Sequence, residues 1–318
     1  MRAGPARRRN CERGLQAGQD CVRTRSEAAI HASNKLRKKL NNCLGPERRQ
    51  QEMCQDNMKA KVVILCGGMG TRLREETEYR PKPLVEIGGK PILWHIMKIY
   101  SHYGFNDFVL CLGYKGYMIK EYFLNYRLNS SDFTLCLNAA AQPQFHSANP
   151  HEDWTITFAE TGLKANTGAR VKRVERYVEE DHFLLTYGDG VADIDIRKLC
   201  EFHFRHGKVG TVTGVRPFSR YGELTLSGPL VKQFNEKPPA PEGLISGGFF
   251  VLHRRFFDYL SADDNCVLER EPLERLAREG ELVGYAHCGF WHCMDTYRDF
   301  LILNDYWEKG APWKVWEQ

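Results

Sequence analysis

A glycine-rich segment early in the chain carries the clearest chemical signal. Residues 61–66 form a short apolar run, and the phosphate-handling stretch follows it. Glycine lets backbone N–H groups approach a ligand closely, and successive N–H groups form a concavity that binds anions. A guanidinium adds a planar fork for phosphate oxygens. The candidate ligands of a phosphate compound here are Leu65, Gly67, Gly68, Gly70, Thr71 and Arg72; an ordinary glycine turn is the alternative.

This segment differs from two common phosphate-binding motifs. It lacks the GxxxxGK[ST] spacing of a P-loop, and Leu73 occupies the place of the third glycine in the dinucleotide fingerprint. No GxSxG nucleophile elbow occurs in the chain either. The pattern therefore indicates phosphate binding of another kind.

A lysine and two aspartates complete a candidate phosphoryl-transfer site. Lys82 lies between two prolines that hold its backbone extended, which suits contact with a reacting phosphate, although a surface loop would look the same. Asp189 follows Gly188 after a predicted strand, and such a carboxylate is a good Mg²⁺ ligand or else part of an Asp-Gly turn. Asp295 is a second candidate ligand, but from spacing alone a helix N-cap is favoured.

Other polar residues give weaker signals. Glu236 and Lys237 are adjacent and could hold sugar hydroxyls and a sugar phosphate, but a solvated hairpin is favoured from the pattern alone. His95 falls within a helical pattern and is expected to be a packed or capping histidine rather than a base. Cys66 has no histidine nearby in sequence that would mark it as a nucleophile.

The elements that must position these residues alternate between strand and helix. We predict strands at 61–66, 107–112, 133–138, 155–160, 182–187 and 210–216, and helices at 91–103, 117–127, 169–178, 195–206, 254–260 and 272–279. This order predicts an α/β fold with a mostly parallel sheet flanked by helices. Ligands of such sheets bind at the carboxyl ends of strands. Residues 221–252 read instead as a small antiparallel part that is inserted or appended.

Charge divides the chain into two parts. The net charge of the 318 residues is +5, and residues 1–57 alone hold 13 Lys and Arg against 6 Asp and Glu. We therefore predict a basic, unstructured N-terminal extension and a nearly neutral catalytic domain at 58–318. A nucleic-acid-binding role would rest on the extension alone.

Composition also bears on the compartment. No apolar run is long enough to span a membrane, and residues 1–57 lack the apolar core of a secretory signal. An Arg-rich organelle transit segment is less favoured, because this part holds acidic residues and few serines. The 11 cysteines include no CxxC pair, so a zinc cluster is not expected and a reducing, cytoplasmic setting is.

Taken together, the motifs resemble those of the sugar nucleotidyltransferase family. Its pattern GGxGTRL…PKP…GGKP matches residues 67–73, 81–83 and 88–91, and the likeness extends from Met58 to the C-terminus. Within the family, residues 87–98, 113–116, 119–123, 186–193 and 307–314 look most like the members that join CTP to glucose 1-phosphate. The resemblance implies a Rossmann-like fold, CDP-glucose and pyrophosphate as products, Mg²⁺ as cofactor, and a homo-oligomer such as a hexamer.

The resemblance also assigns roles by position. It implies nucleotide binding by the glycine segment, contact of Lys82 with the reacting phosphates, and metal binding by Asp189 and Asp295, which reverses the N-cap reading. It adds Thr167 and Arg170 as substrate contacts, and Glu236 and Lys237 as sugar contacts. The chain departs from the pattern at Cys66, at Glu160 and at His292-Cys293, so substrate specificity is less well determined than the type of reaction.

Two rival functions stay open at this point. One is the same reaction with UTP, dTTP or GTP, because related transferases share the glycine segment. The other is a catalytically inactive regulatory subunit that binds sugar nucleotides. Retention of Arg72, Lys82, Asp189 and Asp295 argues against the second, since binding alone would not need the metal pair.

Overall fold

The computed structural model describes residues 59–137, 142–146, 152–217, 223–235 and 243–317. Residues 1–57 lie outside these ranges, so the predicted N-terminal extension stays a prediction. The strands are β1 Val62–Leu65, β2 Glu86–Ile87, β3 Lys90–Pro91, β4 Asp107–Leu112, β5 Phe133–Thr134, β6 Gln144–Phe145, β7 Thr155–Glu160, β8 His182–Tyr187, β9 Gly190–Ala192, β10 Gly210–Val215, β11 Glu223–Ser227, β12 Leu230–Asn235, β13 Ile245–His253, β14 Leu282–His287 and β15 Trp291–Cys293. The α-helices are α1 Arg74–Thr77, α2 Ile92–His102, α3 Gly116–Leu124, α4 Tyr126–Ser130, α5 Thr167–Arg173, α6 Ile196–His206, α7 Glu271–Arg278 and α8 Tyr297–Glu308.

A mostly parallel sheet forms the centre of the fold. Within the described ranges it has seven strands, in the order β14-β10-β13-β8-β1-β4-β7. β1 runs parallel to both β4 and β8, and Leu65 is level with Cys111 on one side and Tyr187 on the other. The loops that follow these three strands therefore start from the same edge of the sheet. The predicted α/β fold is confirmed.

Both faces of the sheet are buried, which explains the continuous apolar strands. In β1, Val63 and Leu65 belong to a core cluster that also includes Val171 of α5. Val62 and Ile64, which point to the opposite face, are also fully buried. Strands of a parallel sheet that is covered by helices on both faces have this composition, without hydrophobic–polar alternation.

The antiparallel part is smaller than the sequence suggests. β11 and β12 pair as a separate antiparallel hairpin, as expected. β13, however, lies inside the central sheet between β8 and β10, antiparallel to both. The expectation that residues 246–252 belong to an appended part was therefore wrong, because an apolar strand carries no mark of which neighbours it pairs with. The strand expected at 133–138 is limited to β5, which pairs with β6 outside the central sheet.

The C-terminal segment packs against the first long helix. Trp313 is fully buried, and its indole Nε1 donates a hydrogen bond of 3.4 Å to Nδ1 of His95 in α2. Nε2 of His95 lies 2.9 Å from the carbonyl oxygen of Ile87, and burial lowers the pKa of this imidazole to about 4. His95 is thus a packed histidine, as predicted. None of the helices in the described ranges has the length and apolarity that crossing a bilayer requires.

Candidate active site

The cavity at the carboxyl edge of the sheet brings the predicted residues together. It has a volume of about 310 Å³. Its walls come from the loop after β1, the turn after β8, the start of α5 and the segment before α8. The predicted site residues that line it are Leu65, Gly67, Gly68, Gly70, Thr71, Arg72, Lys82, Thr167, Arg170, Gly188, Asp189 and Asp295. Glu236 and Lys237 lie outside the described residues, so their assignment stays a prediction.

The glycine loop is held by backbone and side-chain hydrogen bonds. The amide of Cys66 donates to the carbonyl of Cys111 in β4, and the amide of Leu73 donates to the carbonyl of Gly70. Gly70 has φ of 62°, and a Cβ at this position would lie 2.6 Å from the Thr77 side chain. Both the left-handed backbone and the close approach therefore require glycine here. Gly68 and Thr71 are exposed toward the cavity side of the loop.

Arg170 stabilises this loop by a hydrogen bond to its backbone. Its side chain is buried, and its guanidinium donates to the carbonyl oxygens of Gly67 and Leu112, each at 3.0 Å, and to Oγ1 of Thr161 at 2.8 Å. A Cβ on Gly67 would lie 2.2 Å from Nη1 of Arg170, so a larger residue there would displace the guanidinium. Arg170 reaches the cavity wall, but its geometry favours positioning of the loop and of the strand ends over direct recognition of substrate.

A compact ionic cluster also lines the cavity. Nζ of Lys82 donates to Oδ2 of Asp189 at 2.6 Å and to Oδ1 of Asp295 at 2.8 Å. Arg72 approaches both carboxylate oxygens of Asp295, at 2.9 and 3.0 Å, in the two-pronged arrangement typical of arginine. Two cations and two carboxylates therefore balance each other where the glycine loop meets the end of β8. We refer to these four residues as the ionic cluster.

The protonation of the ionic cluster follows from its surroundings. Burial by itself lowers the pKa of Lys82, but the charges of Asp189 and nearby acceptors outweigh it and raise the pKa to about 12. Burial raises the pKa of Asp295, but the hydrogen bond and charge of Lys82 dominate, together with Arg72, and the pKa ends below its usual value. Lys82 is therefore an ammonium and Asp295 a carboxylate at neutral pH.

The start of α8 fixes the position of Asp295. Thr296, and not Asp295, is the N-cap of this helix, and it forms a capping box with Asp299. Oδ2 of Asp299 also accepts from the amide of Asp295 at 3.1 Å. The prediction from spacing that Asp295 is the N-cap was therefore wrong by one residue. Because the cap is Thr296, the Asp295 side chain is available to the cavity.

Cys293 lies near the ionic cluster, although it was not predicted to be a site residue. Sγ of Cys293 lies within 4.8 Å of carboxylate oxygens of both Asp189 and Asp295. Burial raises the pKa of this thiol, and the neighbouring carboxylates raise it further. The signal was present in the sequence, as the departure at His292-Cys293 from the family pattern. For Mg²⁺, the two carboxylates are suitable hard oxygen ligands, and the thiol is not.

Glu269 lies outside the cavity but contacts two residues that line it, Thr167 and Tyr187. Oε2 of Glu269 accepts from Oγ1 of Thr167 at 2.7 Å, and Oε1 accepts from the hydroxyl of Tyr187. The amide of Leu268 donates to Oγ1 of Thr167 at 2.9 Å, so this hydroxyl both donates and accepts. Tyr187 and Asn166 line the cavity but were not predicted as ligands. Tyr187 was adjacent to the Gly188-Asp189 motif, whereas no sequence signal marked Glu269.

Comparison with known proteins identifies the family. The nucleotidyl transferase model matches residues 61–291. A curated glucose-1-phosphate cytidylyltransferase of Salmonella typhi is 52% identical over 259 residues, which are 81% of this chain and all of the relative. The chain belongs to the nucleotidyl transferase family. A probable glucose-1-phosphate cytidylyltransferase of Bacillus subtilis is 48% identical over 80% of this chain and all of the relative. The resemblance seen in the motifs is thereby confirmed.

Solved structures place the fold of this nucleotidyl transferase among known ones. HddC from Yersinia pseudotuberculosis has a TM-score of 0.57 at 23% identity and covers 78% of this chain and 99% of its own. A UDP-glucose pyrophosphorylase in complex with UDP-glucose has a TM-score of 0.58 at 15% identity and covers 79% and 99%. These likenesses concern the fold. In this nucleotidyl transferase the cavity lies at the carboxyl ends of the parallel strands, where ligands of such sheets bind.

Proposed function

We propose that this nucleotidyl transferase moves a cytidylyl group from CTP to α-D-glucose 1-phosphate, giving CDP-glucose and pyrophosphate. The observation that carries the proposal is Lys82 held between Asp189 and Asp295 on the wall of a glycine-lined cavity. The choice of cytidine and glucose is supported by two relatives that are matched over their whole length. They are a glucose-1-phosphate cytidylyltransferase at 52% identity and a probable one at 48% identity.

The reaction needs no protein nucleophile. A phosphate oxygen of the sugar phosphate, already ionised at neutral pH, attacks the α-phosphorus of CTP. The new P–O bond forms as the bond between the α-phosphorus and the bridging oxygen breaks, and pyrophosphate leaves with the electron pair. The chain contributes by aligning the two substrates and by offsetting negative charge.

Each part of the cavity has a task in this scheme. The amides of the glycine loop bind the phosphates of the nucleotide, and Arg170 keeps that loop in place through the carbonyl of Gly67. Lys82 and Arg72 neutralise charge on the α-phosphate and the leaving group. Thr167 and Tyr187 form the wall that Glu269 fixes, and they contact the substrate from the other side of the cavity.

Asp189 and Asp295 would hold the Mg²⁺ ion. Two carboxylates together with substrate phosphates are the usual ligands of Mg²⁺ in phosphoryl transfer. When bound, the ion supplies charge neutralisation at the phosphate oxygens. Asp299 would keep Asp295 in orientation through the hydrogen bond to its amide.

The experiment that tests the proposal is a matrix of pyrophosphate-release assays. CTP, UTP, dTTP, ATP and GTP are crossed with glucose 1-phosphate and mannose 1-phosphate, with and without Mg²⁺. We expect the highest kcat/KM for CTP with glucose 1-phosphate, and loss of turnover with EDTA. A higher kcat/KM for another pair would overturn the choice of substrate, and no turnover with any pair would favour a regulatory subunit.

Two finer expectations belong to the same proposal. We infer a homo-oligomer, as the family resemblance implies, and a cytoplasmic enzyme, as the free cysteines suggest. Light scattering of the purified full chain measures the first, and a monomer at micromolar concentration would contradict it. Localisation of a tagged full chain by fluorescence measures the second.

A further inference from the structure

Two extended segments place a thiol beside the two carboxylates of the ionic cluster. β15 pairs antiparallel with β9, and Cys293 lies opposite Gly190, the residue after Asp189. The amide of Met294 donates to the carbonyl of Asp189 at 2.8 Å, which continues the pairing by one residue. This pairing fixes the separation between Cys293 and Asp189.

Alternation along the chain directs the side chains. In an extended segment successive side chains point to opposite faces, so Cys293 and Asp295 share one face and Met294 takes the other. Met294 is fully buried in the core, as this requires. As a result, ligand atoms of Asp189, Cys293 and Asp295 all lie within 4.8 Å of one another. Elsewhere in the described ranges no other group of three such side chains comes as close.

The chemistry of this ligand set differs from that of two carboxylates alone. Mg²⁺ prefers oxygen ligands in an octahedral arrangement and gains little from sulfur. Zn²⁺ is bound by sulfur and carboxylate oxygen in compact sites of four ligands, and three protein ligands with one open position are common. Such a cation displaces the proton of the thiol on binding.

We propose that Asp189, Cys293 and Asp295 form a site for a thiophilic divalent cation such as Zn²⁺, which inhibits nucleotidyl transfer by competing with Mg²⁺. The inhibitory part rests on the proposed function, and the binding part does not. A cation held by all three residues takes the place between the carboxylates that the ammonium of Lys82 occupies. It therefore withdraws both carboxylates from Mg²⁺ and upsets the charge balance with Lys82 and Arg72.

The binding test uses Co²⁺ as a spectroscopic substitute for Zn²⁺ on the full-length protein. A thiolate bound to Co²⁺ gives charge-transfer absorption in the near ultraviolet. We expect this absorption in the unmodified protein and its loss in Cys293→Ser. Cys288→Ser is the matched control, because Cys288 is an exposed thiol only five residues away, and it should retain the signal. Zn²⁺ affinity, measured by competition with a chromogenic chelator, should fall at least tenfold in Cys293→Ser and stay unchanged in Cys288→Ser.

A second variant guards against a misfolded Cys293→Ser. Asp295→Asn keeps the thiol but replaces one carboxylate, so it should also lose the Co²⁺ absorption. If Cys293→Ser folds and keeps both the absorption and the Zn²⁺ affinity, the proposal is overturned. The same holds if Asp295→Asn keeps them.

Enzyme assays test the inhibitory part of the proposal independently of metal binding. Zn²⁺ should inhibit pyrophosphate release, and added Mg²⁺ should relieve the inhibition. Inhibition that Mg²⁺ does not relieve would overturn the competitive mechanism. If no nucleotide is turned over while Co²⁺ binds through Cys293, the proposed function fails and the metal site stands. If CTP is turned over and Cys293 binds no Co²⁺, the metal site fails and the function stands.

Discussion

The two ends of β8 carry titratable groups that behave in opposite ways. Beyond its carboxyl end lies the ionic cluster, where Asp189 and Asp295 contact Lys82. At its amino end His182 packs against His203 and His253, with ring centroids 5.2 and 4.8 Å apart. We refer to these three residues, together with His206, which lies 5.2 Å from His203, as the histidine cluster.

The difference lies in whether neighbours carry opposite or equal charge. In the ionic cluster, opposite charges overcome burial, so the pKa of Lys82 rises and that of Asp295 falls. In the histidine cluster, burial and the like charges of the other histidines both lower the pKa, and that of His203 falls to about 3. One end of the strand therefore keeps its charges, as the proposed phosphate and metal site requires, whereas the other end stays neutral around the buried His203.

The largest effect should come from breaking the ionic cluster. Lys82→Ala or Asp189→Asn should lower kcat by about a thousandfold, because the first removes positive charge that offsets negative charge in the transition state and the second removes a proposed Mg²⁺ ligand. Pyrophosphate release measures this, and circular dichroism checks the fold. Lys120→Ala is the matched control, since Lys120 forms an ion pair with Glu160 at the surface. Full activity of a folded Lys82→Ala protein would contradict the assignment of the site.

The next effect concerns the support beneath the glycine loop. Arg170→Met should destabilise the fold by about 3 kcal/mol, because it leaves buried carbonyls without donors. It should also raise KM for CTP, because the glycine loop loses the hydrogen bond that Arg170 donates to the carbonyl oxygen of Gly67. Urea unfolding and steady-state kinetics measure the two effects. Arg176→Met, at an exposed arginine, is the control, and equal stability of the two variants would count against the positioning role.

The histidine cluster predicts acid sensitivity. His203 has a lower pKa in the folded chain than the 6.5 of an unfolded one, so protonation favours unfolding. Its contribution to stability is present above pH 6.5 and is lost as the pH falls. Between pH 7 and pH 5 the loss is about 2 kcal/mol, or a fall in Tm of about 5 °C.

Variants test the source of this pH dependence. His203→Phe should flatten the change of Tm with pH, because the buried titrating group is gone while Oγ1 of Thr211 keeps His206 as partner at 2.7 Å. His102→Phe, at an exposed histidine, should leave the slope as it was. A slope that persists in His203→Phe would move the effect to other groups, such as His182 and His253, whose pKa values burial also lowers.

The smallest effect tests how the helix cap serves the ionic cluster. Asp299→Asn should weaken apparent Mg²⁺ affinity by about tenfold, because it loosens the orientation of Asp295. The matched control is Asp195→Asn, since Asp195 caps α6 by accepting from the amide of Lys198 at 3.0 Å. Both changes should cost similar stability, about 1 kcal/mol. If Mg²⁺ dependence is equal in the two variants, the cap has a structural role alone.

Much of this architecture could be read from local patterns. The strands at 107–112, 155–160 and 182–187 have the predicted bounds, because each is a short segment rich in apolar or β-branched residues and flanked by turn residues. The glycine loop and Asp189 follow strands directly, so their place at the sheet edge followed from the parallel order. Asp295 as a metal ligand came from the resemblance, since spacing alone favoured a cap.

Other features depend on contacts between distant parts of the chain. Neither the insertion of β13 between β8 and β10 nor the carbonyl contacts of Arg170 has a local signature. The same is true of Glu269, which joins Thr167 and Tyr187 although it is far from both in sequence.

The sequence by itself determined the strands β1, β4, β7, β8 and β10, the position of the glycine loop and the kind of reaction, because backbone propensity, glycine geometry and hydrophobic pattern act over a few residues. The tertiary structure alone decided that Lys82 bridges two carboxylates, that Thr296 and not Asp295 caps α8, and that Cys293 joins them. These arrangements depend on strand register and packing, and the electrostatic energy of a charge depends on the few ångströms that separate it from partners far along the chain.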